Sequence, residues 1–155
     1  MKGARQMYSH ILIATDGSEL AQHGVDQGLV VAQKFGSKVT ILNVTEMFPA
    51  YAARGEFSNK SVVQAIELHR KMGEEFAQKM LADAAALAAK LNVECETVHV
   101  GEMRPAEAIV ELAKERSCDL IVMASHGRSG LDRLFLGSQT NEVLAYSAVP
   151  VLVVR

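Results

Sequence analysis

The sequence contains few of the residues on which several classes of protein depend. Of its 155 residues, two are cysteine, three are proline and none is tryptophan. Cys95 and Cys118 lie far apart and form no CxxC motif, so we expect two buried thiols in a reducing cytoplasm rather than a disulfide framework. The apolar runs are too short to cross a bilayer, and the N-terminal residues lack the apolar core of a secretory signal.

Neither sign of charge dominates. Sixteen basic residues stand against eighteen acidic ones, which gives a net charge of -2. This balance indicates neither a nucleic-acid-binding surface nor a polybasic membrane anchor. Hydrophobic residues make up 49% and charged residues 22%, a balance typical of a soluble globular protein. The length predicts a single domain over residues 1–155, because two halves would be too small to bury good cores.

Apolar runs alternate with helical periodicity along the chain. The runs predict five strands, at residues 11–14, 39–44, 93–100, 120–124 and 151–154. The periodicity predicts four helices, at residues 18–36, at residues 61–91, from residue 105 and at residues 137–147.

The second of these helices is unusually long. At about 1.5 Å per residue it would extend about 45 Å, so we expect it either to project or to break near Gly73. Met72, Met80 and Leu87 on this helix are expected in the core rather than in a ligand site.

The alternation of strands and helices favours an α/β protein. Because the strands are apolar along most of their length, both faces of the sheet should be covered by helices, as in a parallel sheet. A doubly wound five-stranded sheet is the leading topology. Ligands of such sheets bind outside the carboxyl ends of the strands, at the point where the winding direction reverses.

Two strand-exit loops carry most of the polar chemistry. The first follows the first strand and contains Thr15, Asp16, Gly17 and Ser18, and the second runs from residue 124 to 138. If the first and fourth strands are neighbours, both loops face one crevice.

The second loop contains the parts of a phosphate site. Gly127 and Gly130 let the backbone approach a ligand closely, and Arg128 offers a positive charge. The segment from Gly137 to Thr140 opens a helix, whose free N–H groups favour an anion, and Ser138 and Thr140 add hydroxyl donors. Phosphate binding and plain chain reversal are both open on these residues alone.

A family resemblance adds to this interpretation. The pattern Ala124-x2-Gly127-x9-Gly137-Ser138 resembles the nucleotide-binding signature Gly-x2-Gly-x9-Gly-Ser/Thr of the universal stress protein family, with alanine at the first glycine. The opening residues 10–18, the turn at residues 101–105 and the closing residues 150–154 also resemble the family. The resemblance covers essentially the whole chain except residues 46–60.

The resemblance implies a Rossmann-like sheet in the strand order 3-2-1-4-5, a homodimer, and ATP binding in the crevice between the first and fourth strands. It implies that Asp16 lies by the adenosine and that Val44 packs on the adenine. Carried over by position, the implied nucleotide-binding residues are Ala14, Thr15, Asp16, Val44, Met123, Ala124, His126, Gly127, Gly137, Ser138, Gln139 and Thr140.

Other interpretations of these residues stay open. Asp16 also fits a role limited to capping the first helix. The chain has neither GxxxxGK[ST] nor GxSxG, so no catalytic residue is predicted. His126 has no second ligand at metal spacing, so no metal site is predicted.

The leading hypothesis is a cytoplasmic adenine-nucleotide-binding module of the stress response, with ATP as ligand, with or without Mg²⁺. The apolar closing strand predicts a homodimer formed through that strand. Neither nucleic acid nor a membrane is an expected partner. Two alternatives remain: a weak ATPase or nucleotidyl-transfer enzyme that uses Asp16, and a dimerisation module whose crevice stays empty because of Ala124.

Overall fold

The computed structural model describes residues 7–48, 59–127 and 136–155. Strands and helices alternate strictly through this part of the chain. The strands are β1 (His10–Ala14), β2 (Lys38–Thr45), β3 (Cys95–Gly101), β4 (Leu120–Ala124) and β5 (Val151–Val154), and the helices are α1 (Glu19–Phe35), α2 (Asn59–Lys90), α3 (Pro105–Glu115) and α4 (Ser138–Tyr146).

The five strands form one parallel sheet in the order β3-β2-β1-β4-β5. The predicted fold class and strand order are confirmed. β1 lies at the centre, where Ile13 pairs with Ile41 on one side and with Val122 on the other. The winding therefore reverses between β1 and β4, and the exits of these two strands lie side by side.

Helices cover both faces of the sheet. Alternate residues of β1 point to opposite sides: Ile11 and Ile13 pack in one core cluster with residues of α1 and α2, and Leu12 packs in another with residues of α3 and α4. All three side chains are fully buried. Burial on both faces explains why the central strands, β1 from Ile11 onward and β4, are continuously apolar in sequence.

The ends of α1 follow from local chemistry. The Ser18 hydroxyl accepts a hydrogen bond from the N–H of Ala21 and so caps the first turn. Gly36 ends the helix with a φ of 68°, a left-handed conformation that glycine adopts readily. Strand β3 begins two residues later than predicted, because Val93 donates its N–H to Ala88 in the turn that closes α2.

Helix α2 is continuous over 32 residues, so the alternative of a break near Gly73 is wrong. A β-carbon at Gly73 would lie 2.7 Å from Cγ2 of Thr45, so this glycine lets the helix approach the end of β2 closely. Met80 and Leu87 pack against the core as expected. Met72 does not: its exposed fraction is 60%.

Both cysteines are free thiols. Cys118 is buried as expected, and Cys95 is half-buried on the edge strand β3. Within the described ranges, no helix is both long enough and apolar enough to cross a membrane.

Candidate functional site

A large open cavity lies at the exits of β1 and β4. Its volume is about 860 Å³, within the size range of small-molecule sites. Its wall contains each of the predicted site residues that the structure describes: Ala14, Thr15, Asp16, Val44, Met123, Ala124, His126, Gly127, Gly137, Ser138, Gln139 and Thr140. Arg128 lies outside the described residues.

The two predicted loops meet at Asp16 and Gly127. A β-carbon at residue 127 would lie 2.6 Å from Oδ2 of Asp16, so the carboxylate rests against the second loop. Its other oxygen, Oδ1, accepts the N–H of Ser18 at 3.0 Å. The N-cap of α1 is Ser18, and Asp16 supports the turn before the helix by accepting the N–H of that N-cap residue.

The exit of β1 is tied to β2 by Asn43. The amide Nδ2 of Asn43 donates to the backbone oxygen of Thr15 at 2.9 Å, and the N–H of Thr15 donates to the oxygen of Leu42 at 2.9 Å. Asn43 is buried and lines the cavity. The sequence analysis did not single it out, although an amide within an otherwise apolar strand was the available signal.

The first turn of α4 forms one end of the cavity. Gly137 is its N-cap, and no side chain among the described residues caps the helix there. Gly137 and Ser138 line the cavity. The free N–H groups of a helix start and its positive dipole end attract anions. This end of the cavity therefore suits a phosphate or carboxylate group.

Two side chains of this turn form hydrogen bonds to neighbouring elements and are therefore not free to bind a ligand. The Thr140 hydroxyl donates to the backbone oxygens of Ala124 and Ser125, at 3.1 and 3.0 Å. It fixes α4 to the end of β4, so its hydroxyl is not a free phosphate donor. The Gln139 side chain accepts the N–H of Ala106 at 2.9 Å and joins α4 to the first turn of α3.

Ala124 occupies the place of the first signature glycine without strain. It is the last residue of β4 and pairs with Val154 of β5. The non-glycine residues with positive φ in the described chain are Asn92, Glu102 and Ser117, so Ala124 is not among them. Its methyl group therefore replaces a hydrogen atom in ordinary strand geometry.

Helix α2 supplies a wall of the cavity that the sequence analysis missed. His69, Met72, Gly73 and Phe76 all line the cavity from this helix. Gly17 adopts a φ of 77°, and a β-carbon there would lie 2.7 Å from Cζ of Phe76. The spacing of 69, 72, 73 and 76 along one helical face was the signal that could have revealed this wall.

The cavity wall combines apolar side chains with the start of a helix. Val44 and Met123 contribute apolar surface, whereas Gly137 and Ser138 contribute the start of α4. The N–H of Gly137 donates to the backbone oxygen of Ser125 at 2.8 Å, so the open N–H groups of the helix start are those that follow it. Such a cavity can bind a ligand with a flat apolar part and an anionic part.

The charged groups of the cavity wall are few. The carboxylates of Asp16 and Glu46 line the cavity, together with the imidazoles of His69 and His126. The Nδ1 atom of His126 lies 3.1 Å from the Ser125 hydroxyl. Over residues 7–48, 59–127 and 136–155, no cluster of three or more histidine, cysteine, aspartate or glutamate side chains could hold a metal ion.

Comparison with known proteins identifies the family of the chain. The family model described as the universal stress protein family matches residues 7–155. A universal stress protein of Thermus aquaticus is 35% identical over 149 residues, which cover 96% of this chain and 100% of the relative.

Solved structures are similar over the same length. The structure of protein MJ0577, from Methanocaldococcus jannaschii, has a TM-score of 0.74 at 31% identity and covers 96% of each chain. A universal stress protein solved in complex with cAMP has a TM-score of 0.70 at 25% identity, covering 96% of this chain and 98% of the other. On the family match and these alignments, this chain belongs to the universal stress protein family.

Proposed function

We propose that this chain binds an adenine nucleotide, with ATP as its preferred ligand, in the cleft at the exits of β1 and β4. The observation that carries the proposal is the meeting of Asp16 with Gly127 beside the uncapped start of α4, all on one cavity. A carboxylate suits the hydroxyls of a ribose, and a free helix start suits phosphate.

The cavity divides in the way that a nucleotide does. The adenine ring would pack on Val44, the Asp16 carboxylate would accept hydrogen bonds from the ribose, and Met123 would line the ribose and phosphates. The phosphates would lie along Gly127, Gly137 and the N–H groups that follow. At about 860 Å³, the volume is sufficient for a nucleoside triphosphate.

The complex of a related universal stress protein with cAMP supports the choice of an adenine nucleotide. Mg²⁺ would accompany ATP, held mainly by phosphate oxygens and water as is usual for this ion. The carboxylates in the described wall are those of Asp16 and Glu46, which lie where the ribose and the adenine are proposed to bind. We therefore assign no protein ligand to the ion.

The same proposal includes a homodimer formed through β5. This strand pairs with β4 on one side and forms an edge of the sheet. Leu152 on this strand has an exposed fraction of 38%. An apolar edge strand favours pairing with a second strand, and a two-fold arrangement would pair it with its own copy.

The biological setting that we propose is the cytoplasm, where the chain would act as a single-domain regulatory module of the stress response. The two free thiols fit a reducing compartment. In this setting the nucleotide acts as a signal that changes the state of the dimer.

Three measurements test the proposed function. Mass spectrometry of the purified protein should detect a co-purified adenine nucleotide, and calorimetry should then give ATP binding with one site per chain. An empty protein that binds no ATP would instead support the dimerisation module. A timed assay of ADP release, with Asp16→Ala as control, separates a binding module from a weak ATPase: we expect no turnover above that of the variant.

A further inference from the structure

Met72 differs from the other methionines near the cavity. The sequence has seven methionines, and among the described residues Met72 and Met123 line the cavity. Met123 is buried, with an exposed fraction of 6%, whereas that of Met72 is 60%. Met72 therefore touches both the ligand space and the solvent.

The position of Met72 is fixed by its neighbours on α2. Gly73 packs against Thr45 at the end of β2, and Phe76, one helical turn further on, packs against Gly17. These two contacts hold the helix face with Met72 beside the cavity. The backbone of Met72 therefore stays beside the cavity, and the residue lines the cavity.

We propose that Met72 is an oxidation-sensitive residue of this cavity, at which a hydroperoxide weakens nucleotide binding. The inference rests on the proposed function. In the reaction the thioether sulfur attacks the distal peroxide oxygen, an S–O bond forms and the O–O bond breaks. The sulfur loses two electrons and becomes a sulfoxide, and the peroxide leaves as water or an alcohol after its proton moves to the leaving oxygen.

The oxidised side chain has different binding properties. A sulfoxide is polar and strongly hydrated, while the thioether is apolar and adaptable. Covering the sulfoxide oxygen with the apolar ring of a ligand removes its water without a replacement hydrogen bond, which opposes binding. Because methionine sulfoxide reductases reverse the reaction, the effect should be reversible.

The two thiols are poorer targets for the same oxidant. Burial raises the pKa of the Cys118 thiol to about 11 and also raises the pKa of Cys95 above its ordinary value. The thiolate is the reactive form of cysteine, and it is scarce at both residues near neutral pH. An exposed thioether needs no deprotonation.

Met47 provides a matched control. Its exposed fraction of 65% is close to that of Met72, yet it does not line the cavity. Peroxide should oxidise both residues at similar rates in the ligand-free protein. Only oxidation of Met72 should change nucleotide binding.

The test treats three full-length proteins with hydrogen peroxide: the wild type, Met72→Leu and Met47→Leu. Peptide mass spectrometry measures the oxidation of each methionine, and calorimetry measures the affinity for ATP before and after treatment. After peroxide we expect ATP affinity to fall about tenfold in the wild type and in Met47→Leu. Met72→Leu should keep its affinity. Treatment with both methionine sulfoxide reductases and a dithiol should restore the wild type. Prior saturation with ATP should also slow oxidation of Met72 relative to Met47.

The outcomes distinguish this inference from the proposed function. If the untreated protein binds no adenine nucleotide, the proposed function is wrong and the inference falls with it. If the untreated protein binds ATP but Met72 stays unoxidised, or is oxidised without loss of affinity, only the inference is wrong. An equal loss of affinity in Met72→Leu would also overturn it.

Discussion

The carboxylate of Asp16 rests against the backbone of Gly127, so close that a β-carbon at residue 127 would lie 2.6 Å from Oδ2. The first residue follows β1 and the second follows β4, more than a hundred positions later in the chain. Strand order alone brings them together, because the exits of β1 and β4 are adjacent in the sheet. The contact joins the acidic loop and the glycine loop into one site.

Gly127→Ala tests this contact. We expect the added methyl group to displace the Asp16 carboxylate and to weaken ATP binding about tenfold, or about 1.4 kcal/mol, as measured by calorimetry. Gly101→Ala is the matched control, since a β-carbon at that strand exit would meet no atom within 4 Å. Equal affinities in the two variants would show that the contact has no role in binding.

Asn43→Ala tests the link between the exit of β1 and β2. Without the amide donor, the oxygen of Thr15 loses a buried hydrogen bond, and we expect the free energy of unfolding to fall by about 1–3 kcal/mol. Urea unfolding monitored by circular dichroism measures this change. Asn43→Asp, whose ionised carboxylate cannot donate, should be no more stable than the alanine variant at pH 8, and a wild-type stability for either would contradict the expectation.

Leu152→Asp tests the proposed dimer. A charge on the edge strand β5 should oppose pairing with a second copy, and light scattering should then report a monomer with unchanged circular dichroism. Val63→Asp on α2 is the control, because Val63 is also exposed, at 64%, but lies on a different element. A dimer that persists in Leu152→Asp would contradict pairing through β5.

His10 links stability to pH at the opposite end of the sheet. Its ring is buried, with Nε2 2.8 Å from the Thr40 hydroxyl and Nδ1 3.0 Å from the backbone oxygen of Arg116. In the neutral ring Nδ1–H donates to that oxygen, and Nε2 accepts from the hydroxyl. Burial and then the charge of Lys38 lower the pKa of His10 below its ordinary value of 6.5.

Three groups around His10 act in the other direction. The backbone oxygen of Arg116 and the carboxylates of Glu96 and Asp119 favour the protonated ring, but they do not reverse the net lowering of the His10 pKa. The unfolded chain therefore binds this proton at a higher pH than the folded chain does. The contribution of the neutral His10 ring to the free energy of unfolding is fully present above pH 6.5. It is lost as the pH drops towards the pKa of His10 in the folded chain.

His10→Gln should remove this contribution. We expect the wild type to lose free energy of unfolding between pH 7.5 and pH 5, and the variant to lose less over the same range, as measured by urea unfolding. His23→Gln, on the exposed surface of α1, should keep the wild-type dependence. The same loss in all three proteins would show that His10 does not titrate as described.

The fold was largely predictable because the central strands β1 and β4 are apolar along most of their length and the ends of α1 have local chemistry. Ser18 and Gly36 mark the ends of α1 in the sequence as in the structure. Gly73 was ambiguous, since glycine both destabilises a helix and permits close packing. The close approach of Gly73 to Thr45 shows that this glycine permits packing of α2 against β2. No sequence pattern reveals that contact, because the two residues lie in different elements.

The site was predictable in its loops and not in its walls. The glycine spacing identifies Gly127 and Gly137 without a structure. The wall from α2 depends on how a long helix lies across the sheet, which periodicity does not determine. The role of the Thr140 hydroxyl could not be predicted either. The sequence is the same whether this hydroxyl is free to bind a ligand or donates to the backbone at the end of β4, as it does in the structure.

Calorimetric titration of ATP into the wild type and Gly137→Val tests the central claim most directly. A β-carbon at residue 137 would already lie 3.3 Å from Cα of His126, so the branched side chain should shift the start of α4 away from the phosphates. We expect saturable binding to the wild type and none to the variant, with unchanged circular dichroism. Equal affinity in the two proteins would contradict a phosphate site at this turn.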